Sequence, residues 1–318
     1  MEGTSRASSK LLHGGLRYLE NGEFRLVREA LRERDAWIRR APHLAWPIRL
    51  VLPIYRGAWR PRWMVALGLY AYDRIAGRTE LPQATWLTSS ELIDRDPKLR
   101  SQDLLGGYEF SDAQMDDYQL GLWAAEQAMH LGVKIREKAN VDSVTLDGKL
   151  TVNGDTVCYE KIINVAGPWA QNLLERSGLT TPVQVRLVRG SHIVLASRTH
   201  QAYLMESPGS RRIFFVLPWQ GKTLVGTTER EHLLKDQIRC STSEQNELLT
   251  SYQFYFSGPT AEILETFSGL RPLVRNSASL SKNTREYAIH KDRSIVSVFG
   301  GKWTTAMALA SKVAHSLG

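Results

Sequence analysis

Cysteine is nearly absent: the 318 residues hold two, Cys158 and Cys240. Neither has metal-ligand spacing around it, so a disulfide framework and a cysteine-based metal site are excluded, no metal is expected, and a reducing compartment fits. Long apolar runs are also missing. The longest, in "RWMVALGLYAYDRIAGR", holds about ten apolar residues, where a membrane-spanning helix needs roughly 20. The opening Met1-Glu2-Gly3 offers no apolar signal-peptide stretch. Repeats, low-complexity tracts, zinc fingers, RNP-type aromatic motifs and Arg-rich tails are lacking, so nucleic acid is not an expected partner. With 42% hydrophobic and 23% charged residues the chain cannot be a disordered one, and its length predicts one large or two moderate domains.

Acidic residues are scarce in one segment. Between Asn21 and Arg78 stand 12 arginines against 5 acidic residues, which accounts for nearly the whole formal charge of +8. Arginine at that density suits phosphate groups, although "REALRERDAWIRR" reads equally as a solvated helix face laced with ion pairs. Phe24, Val27, Leu31 and Ile38 lie near helical spacing and predict an amphipathic helix ending before Pro42. After the Pro-rich "WPIRLVLPIYRGAWRP", the short apolar run carries basic flanks with Trp59, Trp63, Tyr70 and Tyr72 nearby. It reads either as a surface dipping into a membrane interface or as a buried core helix.

Asp116 or Asp117 can cap a helix running to Leu131, closed by Gly132. "DSVTLDGKLTVNGDTV" then alternates around Asp147-Gly148 and Asn153-Gly154, the pattern of a small β-meander. In "KIINVAGPWAQNLLERSG" a buried strand over Ile162 to Val165 meets a turn at Gly167, and Pro168 opens a helix that Gly178 ends. "SIVSVFGGKWTTAMALASKVAHSLG" repeats that construction around Gly300-Gly301. Two strand-glycine-helix junctions predict a parallel sheet with its ligand at the carboxyl ends of the strands. Between them, Val183 to about Arg230 reads as an antiparallel sheet. Near the start, "TSRASSKLLHGGLRYLE" combines small hydroxyls with paired glycines, which let backbone amides approach a ligand closely.

Taken in order, "TSRASSKLLHGGLRYLE", "FRLVREAL", "APHLAWPIRLVLP", "VAGPWA", "RGSHIVL", "FVLPW", "VGTTE", "SGLRPL" and "VFGGKWTT" resemble the FAD-dependent, respiratory sn-glycerol-3-phosphate dehydrogenases over nearly the whole chain. The resemblance implies an α/β (α+β) flavoprotein of glutathione-reductase-like, D-amino-acid-oxidase-like fold. A discontinuous Rossmann-type FAD domain (1–45, 112–178, 286–318) would join an antiparallel-sheet substrate domain (46–111, 179–285), with a basic, membrane-facing segment at 46–78. It implies oxidation of glycerol 3-phosphate to dihydroxyacetone phosphate, with electrons passed to membrane quinone, by a cytoplasmic protein peripheral on the anionic inner face of the cytoplasmic membrane; a homodimer is compatible.

By that resemblance Ser9, Lys10, His13, Gly14, Gly15, Gly167, Pro168, Trp169, Gly300, Gly301, Thr304 and Thr305 line the FAD, and Arg17 and Tyr18 face the substrate phosphate. A phosphate dianion calls for fixed cations, which Arg17, Arg271 and Lys302 supply, with a hydroxyl from Thr227 or Thr228. His192 is the candidate base because its unperturbed pKa lies near neutrality, Arg271 the candidate stabiliser of a developing alkoxide, and Lys302 a cation for the flavin ring. The sequence departs from the family's pattern: nothing before Thr4 supplies the usual strand, Gly-rich turn and helix, and Ala306-Met307 and Glu229 replace the common Tyr-Arg and Asp. Weak FAD binding and apolar strand edges laid bare are therefore expected, as is the want of a C-terminal helical domain. Two alternatives stand beside this reading: a flavin amine oxidase acting on glycine or a D-amino acid, and a flavin-free chain without catalysis.

Overall fold

The computed structural model describes residues 2–210, 212–259, 261–275, 283–284 and 287–317. In chain order its elements are β1 (Leu11–Leu12), α1 (Phe24–Arg40), β2 (Ala45–Tyr55), α2 (Arg62–Ala76), β3 (Thr85–Thr88), α3 (Ser89–Arg95), β4 (Leu104–Met115) and α4 (Asp117–His130). There follow β5 (Val141–Val144), β6 (Lys149–Val152), β7 (Asp155–Cys158), β8 (Ile162–Asn164), α5 (Ala170–Arg176), β9 (Val185–Leu195), β10 (Ala202–Glu206), β11 (Ile213–Trp219), β12 (Lys222–Gly226) and β13 (Arg230–Glu231). The last are α6 (Thr242–Tyr255), β14 (Ile263–Arg275), β15 (Asn283–Thr284), β16 (Tyr287–Asp292), β17 (Ile295–Gly300) and α7 (Ala306–His315).

Among the described residues the largest sheet runs β1-β4-β2-β10-β11-β12-β9-β14-β15, with β3 beside β4 and β13 beside β9. All of its pairings are antiparallel except β2 with β10. Sequence patterning finds the part from β9 to β12 but not β2, because Pro47 and Pro53 argue against a strand. Both prolines lie outside the short pairing with β10, which joins Leu50 and Val51 to Ala202 and Tyr203. The boundaries expected at 45/46 and 111/112 fall inside β2 and β4, and the one at 285/286 lies outside the described residues.

The large sheet is covered on both faces, so its strands are apolar on both sides. Leu50 and Leu52 of β2 pack with Leu31, Leu69 and Tyr72 of α1 and α2, whereas the intervening Val51 faces Leu92, Leu248 and Tyr252 of α3 and α6. Truncating a fully buried residue here, Leu50→Ala for instance, should cost about 2–5 kcal/mol. Of the face its spacing predicts, α1 buries Val27 and Leu31, leaves Ile38 half-buried and exposes Phe24; Leu26, Arg34 and Trp37 take core positions instead.

The parallel unit is small. β17 pairs in parallel with β8 and antiparallel with β16. Ile295 to Ser297 run alongside Ile162 to Asn164, so both glycine turns lie at the same end of this pair. β8 is an edge strand, and Ile163 and Val165 are 42% and 67% exposed. β5, β6 and β7 form the expected meander.

Candidate active site

The segment before α1 touches β14 and the turn after β17 and then joins the large sheet as β1. Thr4 Oγ1 donates to Leu270 O at 2.7 Å, and Trp303 Nε1 donates to Ser5 O at 2.6 Å. A Cβ on Gly269 would lie 2.9 Å from Ala7 O, so the close passage needs a glycine in β14. Lys10 adopts a left-handed φ of 58°, unusual away from glycine. Its ammonium is buried, donating to Asp117 Oδ1 at 2.5 Å and Arg6 O at 2.9 Å, and it faces the rings of Trp219 and Phe267. Lys10 thus neutralises an interior aspartate. Burial raises the Asp117 carboxyl, and the Lys10 charge works against that.

Gly14 and Gly15 follow. Gly14 N donates to Tyr72 Oη at 2.8 Å and to Asp112 Oδ1 at 3.2 Å, and a Cβ there would stand 2.5 Å from the Tyr72 hydroxyl. Tyr72 donates to Asp112 at 2.8 Å, and Arg34 Nη1 reaches the same carboxylate at 3.3 Å. This interior network fixes the glycine turn. Sequence reading misses Asp112 and Arg34, because neither lies near Gly14 in sequence.

Next to the turn, His13 N donates to Thr304 Oγ1 at 3.2 Å and its ring is 6.1 Å from that of Phe215. Lys302 Nζ lies 4.9 Å from the Tyr18 ring centroid. Gly300 and Gly301 have φ of 79° and 86°, a consecutive left-handed pair that opens onto Thr304, Thr305 and α7. Gly167, Pro168 and Trp169 form the matching turn after β8; Pro168 is buried and Trp169 is 40% exposed. Arg17 belongs to another wall. It lines a cavity of about 400 Å³ with Leu19, Arg60, Met64, Leu67 and Leu204.

The second half of the site stands on β9, β12 and β14. Register sets His192 of β9 opposite Gly226 and Phe267, and a Cβ on Gly226 would lie 2.0 Å from the imidazole. The ring stacks on Phe267 at 4.7 Å, and its Nε2 shares a 2.9 Å hydrogen bond with Ser9 Oγ. Burial first, then the charges of Arg271 and Lys10, pull the imidazole down to about 3, so it is neutral at physiological pH. Arg271 Nη2 donates to Thr228 O at 2.9 Å and Nη1 to Glu229 Oε1 at 3.2 Å. A Cβ on Gly190 would lie 2.5 Å from Thr227 Oγ1 and 3.0 Å from Arg271 Nη2, which places both groups over that glycine. The expectation of either threonine hydroxyl narrows. Thr228 is fully buried, its Oγ1 donating to Glu244 and accepting from Ser191 N, which leaves Thr227 beside Arg271.

The profile described as FAD dependent oxidoreductase (DAO) matches residues 1–316. The chain belongs to the FAD-dependent oxidoreductase family. This family member is 36% identical to "Aerobic glycerol-3-phosphate dehydrogenase" of Escherichia coli (strain K12) and to "D-erythritol 1-phosphate dehydrogenase" of Brucella abortus (strain 2308), each match covering 99% of this chain and 66% of the relative. It therefore spans slightly under two thirds of the length of these curated relatives. Its fold is similar to the glycerol-3-phosphate dehydrogenase from Bacillus halodurans complexed with FAD (TM-score 0.75, 24% identity, 99% of this chain and 57% of that one). It is also similar to glycine oxidase from Geobacillus kaustophilus (TM-score 0.73, 19% identity, 98% and 84%).

FAD is the cofactor of this family, and residues present in the chain suit its ring. His192 Nδ1 is a buried polar atom without a hydrogen bond among the described residues. The left-handed Gly300-Gly301 pair leads into a helix, the geometry that offers backbone amides to an electron-rich group. For the diphosphate, residues 1–318 contain no G-x-G-x-x-G turn.

Proposed function

We propose that the chain carries the substrate site of an enzyme oxidising a polyol phosphate, sn-glycerol 3-phosphate, to the ketone dihydroxyacetone phosphate, with electrons passed on to membrane quinone. The observation that supports this most is the group over Gly190: a guanidinium and a hydroxyl next to a buried, neutral imidazole. Arg271 and Thr227 bind the phosphate, and Lys302 adds a second cation beside Tyr18. Hydrogen bonds to a charged group contribute roughly 1.5–3 kcal/mol each. The near-neutral pKa expected of His192 does not hold in its buried setting, which makes the imidazole a weak base until a phosphate dianion beside it raises its proton affinity; Nδ1, the nitrogen that Ser9 leaves free, then accepts the C2 hydroxyl proton. Ser9 fixes the ring through Nε2, and Phe267 fixes its plane. FAD, when bound, supplies the acceptor for the hydride that leaves C2.

A peripheral membrane setting, on the anionic inner face of the cytoplasmic membrane, is part of the same reading. Trp63, Leu67 and Tyr70 follow helical spacing on α2 and are 66%, 62% and 59% exposed. Among the described residues, no helix is long and apolar enough to cross a membrane. Attachment along the surface is what such a stripe supports.

Anaerobic mixing of the FAD-loaded protein with a substrate panel tests the reaction. Bleaching of the flavin band by glycerol 3-phosphate is the expected result. Bleaching by D-erythritol 1-phosphate in its place would keep the class and change the substrate, whereas bleaching by glycine or a D-amino acid alone would overturn the reading.

A further inference from the structure

Both α3 and α6 begin with a capping box, and the two boxes differ. At α3, Thr88 and Glu91 exchange their bonds in the open. At α6, Ser241 and Glu244 do the same, Ser241 N and Oγ donating to Glu244 Oε2 at 3.0 and 2.8 Å, yet the Glu244 side chain has no exposed surface. It also takes three donors from outside its helix. Thr228 Oγ1 and Ser191 Oγ donate to Oε1, both at 2.8 Å, and Arg189 Nη2 donates to Oε2 at 2.6 Å. A helix cap requires none of these.

The external donors flank the residues of the candidate site. Ser191 precedes His192, and Thr228 follows Thr227. Their backbones are tied as well: Ser191 N donates to Thr228 Oγ1 at 2.9 Å, and Thr228 N to Ser191 O at 3.2 Å. The Thr228 carbonyl then receives Arg271 Nη2 at 2.9 Å and Thr227 Oγ1 at 3.1 Å. Each group over Gly190 is thus one bond away from a segment that Glu244 anchors.

We propose that Glu244 is a positioning residue: by clamping Ser191 and Thr228 it sets the spacing of His192, Thr227 and Arg271 around the substrate phosphate. The inference rests on reading that group as the phosphate site. Burial alone would raise the carboxyl, but the bonds from Ser241, Thr228 and Ser191 outweigh it and hold the group at about 2, ionised throughout the working range. Amide replacement keeps the size and removes the charge. Gln at 244 has one acceptor oxygen for five donors, and its NH₂ would meet N–H and O–H groups head-on.

The test is calorimetric titration of the full chain with glycerol 3-phosphate, read with thermal melting. Glu244→Gln should weaken binding about tenfold or more, the order of one lost charge-assisted bond. Ser241→Ala removes cap bonds but keeps Ser191 and Thr228 on the carboxylate, so it should lower Tm and leave affinity within about twofold. Should Glu244→Gln not fold, the double variant Ser191→Ala with Thr228→Val cuts the clamp and spares the cap; it too should weaken binding. Unchanged affinity in the folded variant that cuts the clamp overturns the positioning role. Arg271→Ala separates the two readings: if it abolishes binding while the clamp variants do not, only the positioning inference fails, and if the wild type does not bind, both fail.

Discussion

Arginine is used in two ways in this molecule. Around β9 and β14, Arg189 and Arg271 are held by named acceptors, Glu244 for the first, and Thr228 O with Glu229 for the second. Along α1 and at and beyond the end of α2, Arg25, Arg28, Arg32, Arg39, Arg74 and Arg78 line an open cleft of about 730 Å³ with one acid, Asp35, which is itself bonded to Arg34. A guanidinium fixed by a carbonyl presents its remaining N–H groups in one direction and suits one ligand pose. Exposed guanidiniums on long, mobile stems suit a diffuse anionic surface, and salt screens them. Residue type is the same in both places; burial and the fixed acceptors make the difference.

The largest effect expected concerns the interior. Asp112→Ala would remove the acceptor shared by Tyr72, Gly14 and Arg34 and leave Arg34 with Asp35 as its one carboxylate, lowering unfolding free energy by about 3 kcal/mol in denaturant titration. A loss under 1 kcal/mol would mean that Arg34 reaches solvent, and the contrast with the surface arginines would dissolve. In the site, Arg271→Ala should reduce the kcat/KM of the FAD-loaded protein for glycerol 3-phosphate by roughly 10- to 150-fold. The reduction should be nearly the same at low and high salt, because the bond is local; a strongly salt-dependent reduction would put Arg271 with the surface group.

His192 sets a pH dependence. Its imidazole protonates at about 3 in the folded state and near 6.5 when unfolded. Above 6.5 both states are neutral and the group contributes no slope. As pH falls through that window the unfolded chain gains a proton first, and stability is lost, by roughly 1–2 kcal/mol between pH 6.5 and 5. Melting curves of His192→Gln should lose less over the same interval; parallel curves would show that the ring is solvated. The smallest effect belongs to the cleft. Arg28→Gln should weaken co-sedimentation with anionic vesicles by about 1 kcal/mol at low salt. No change, together with no salt dependence in the wild type, would remove the membrane role.

Local chemistry made much of this legible. The meander came from two turn dipeptides, α1 from its apolar spacing, and the paired glycine junctions from a strand pattern broken by Gly167 and by Gly300-Gly301. Motif order was enough to point to the family that the comparisons show. Less legible were the strand β2, masked by its prolines, the exposed face of α2, and the position of Arg17, which lines the cavity beside α2. The contacts that hold the site in place were not legible, although several of the residues that make them were. Asp112 reaches Gly14 across 98 positions, Lys10 reaches Asp117 across 107, and Ser9 meets His192 across 183.

The sequence by itself determined which chemistry was to hand: cations, hydroxyls, paired glycines and a histidine, each inside a recognisable local pattern. Only the tertiary structure decided which of them meet, which threonine is spent on a buried glutamate, and that the imidazole is neutral. The reason is physical. Turn and helix preferences act over a few residues, whereas desolvation, charge pairing and strand register depend on neighbours brought together from distant parts of the chain.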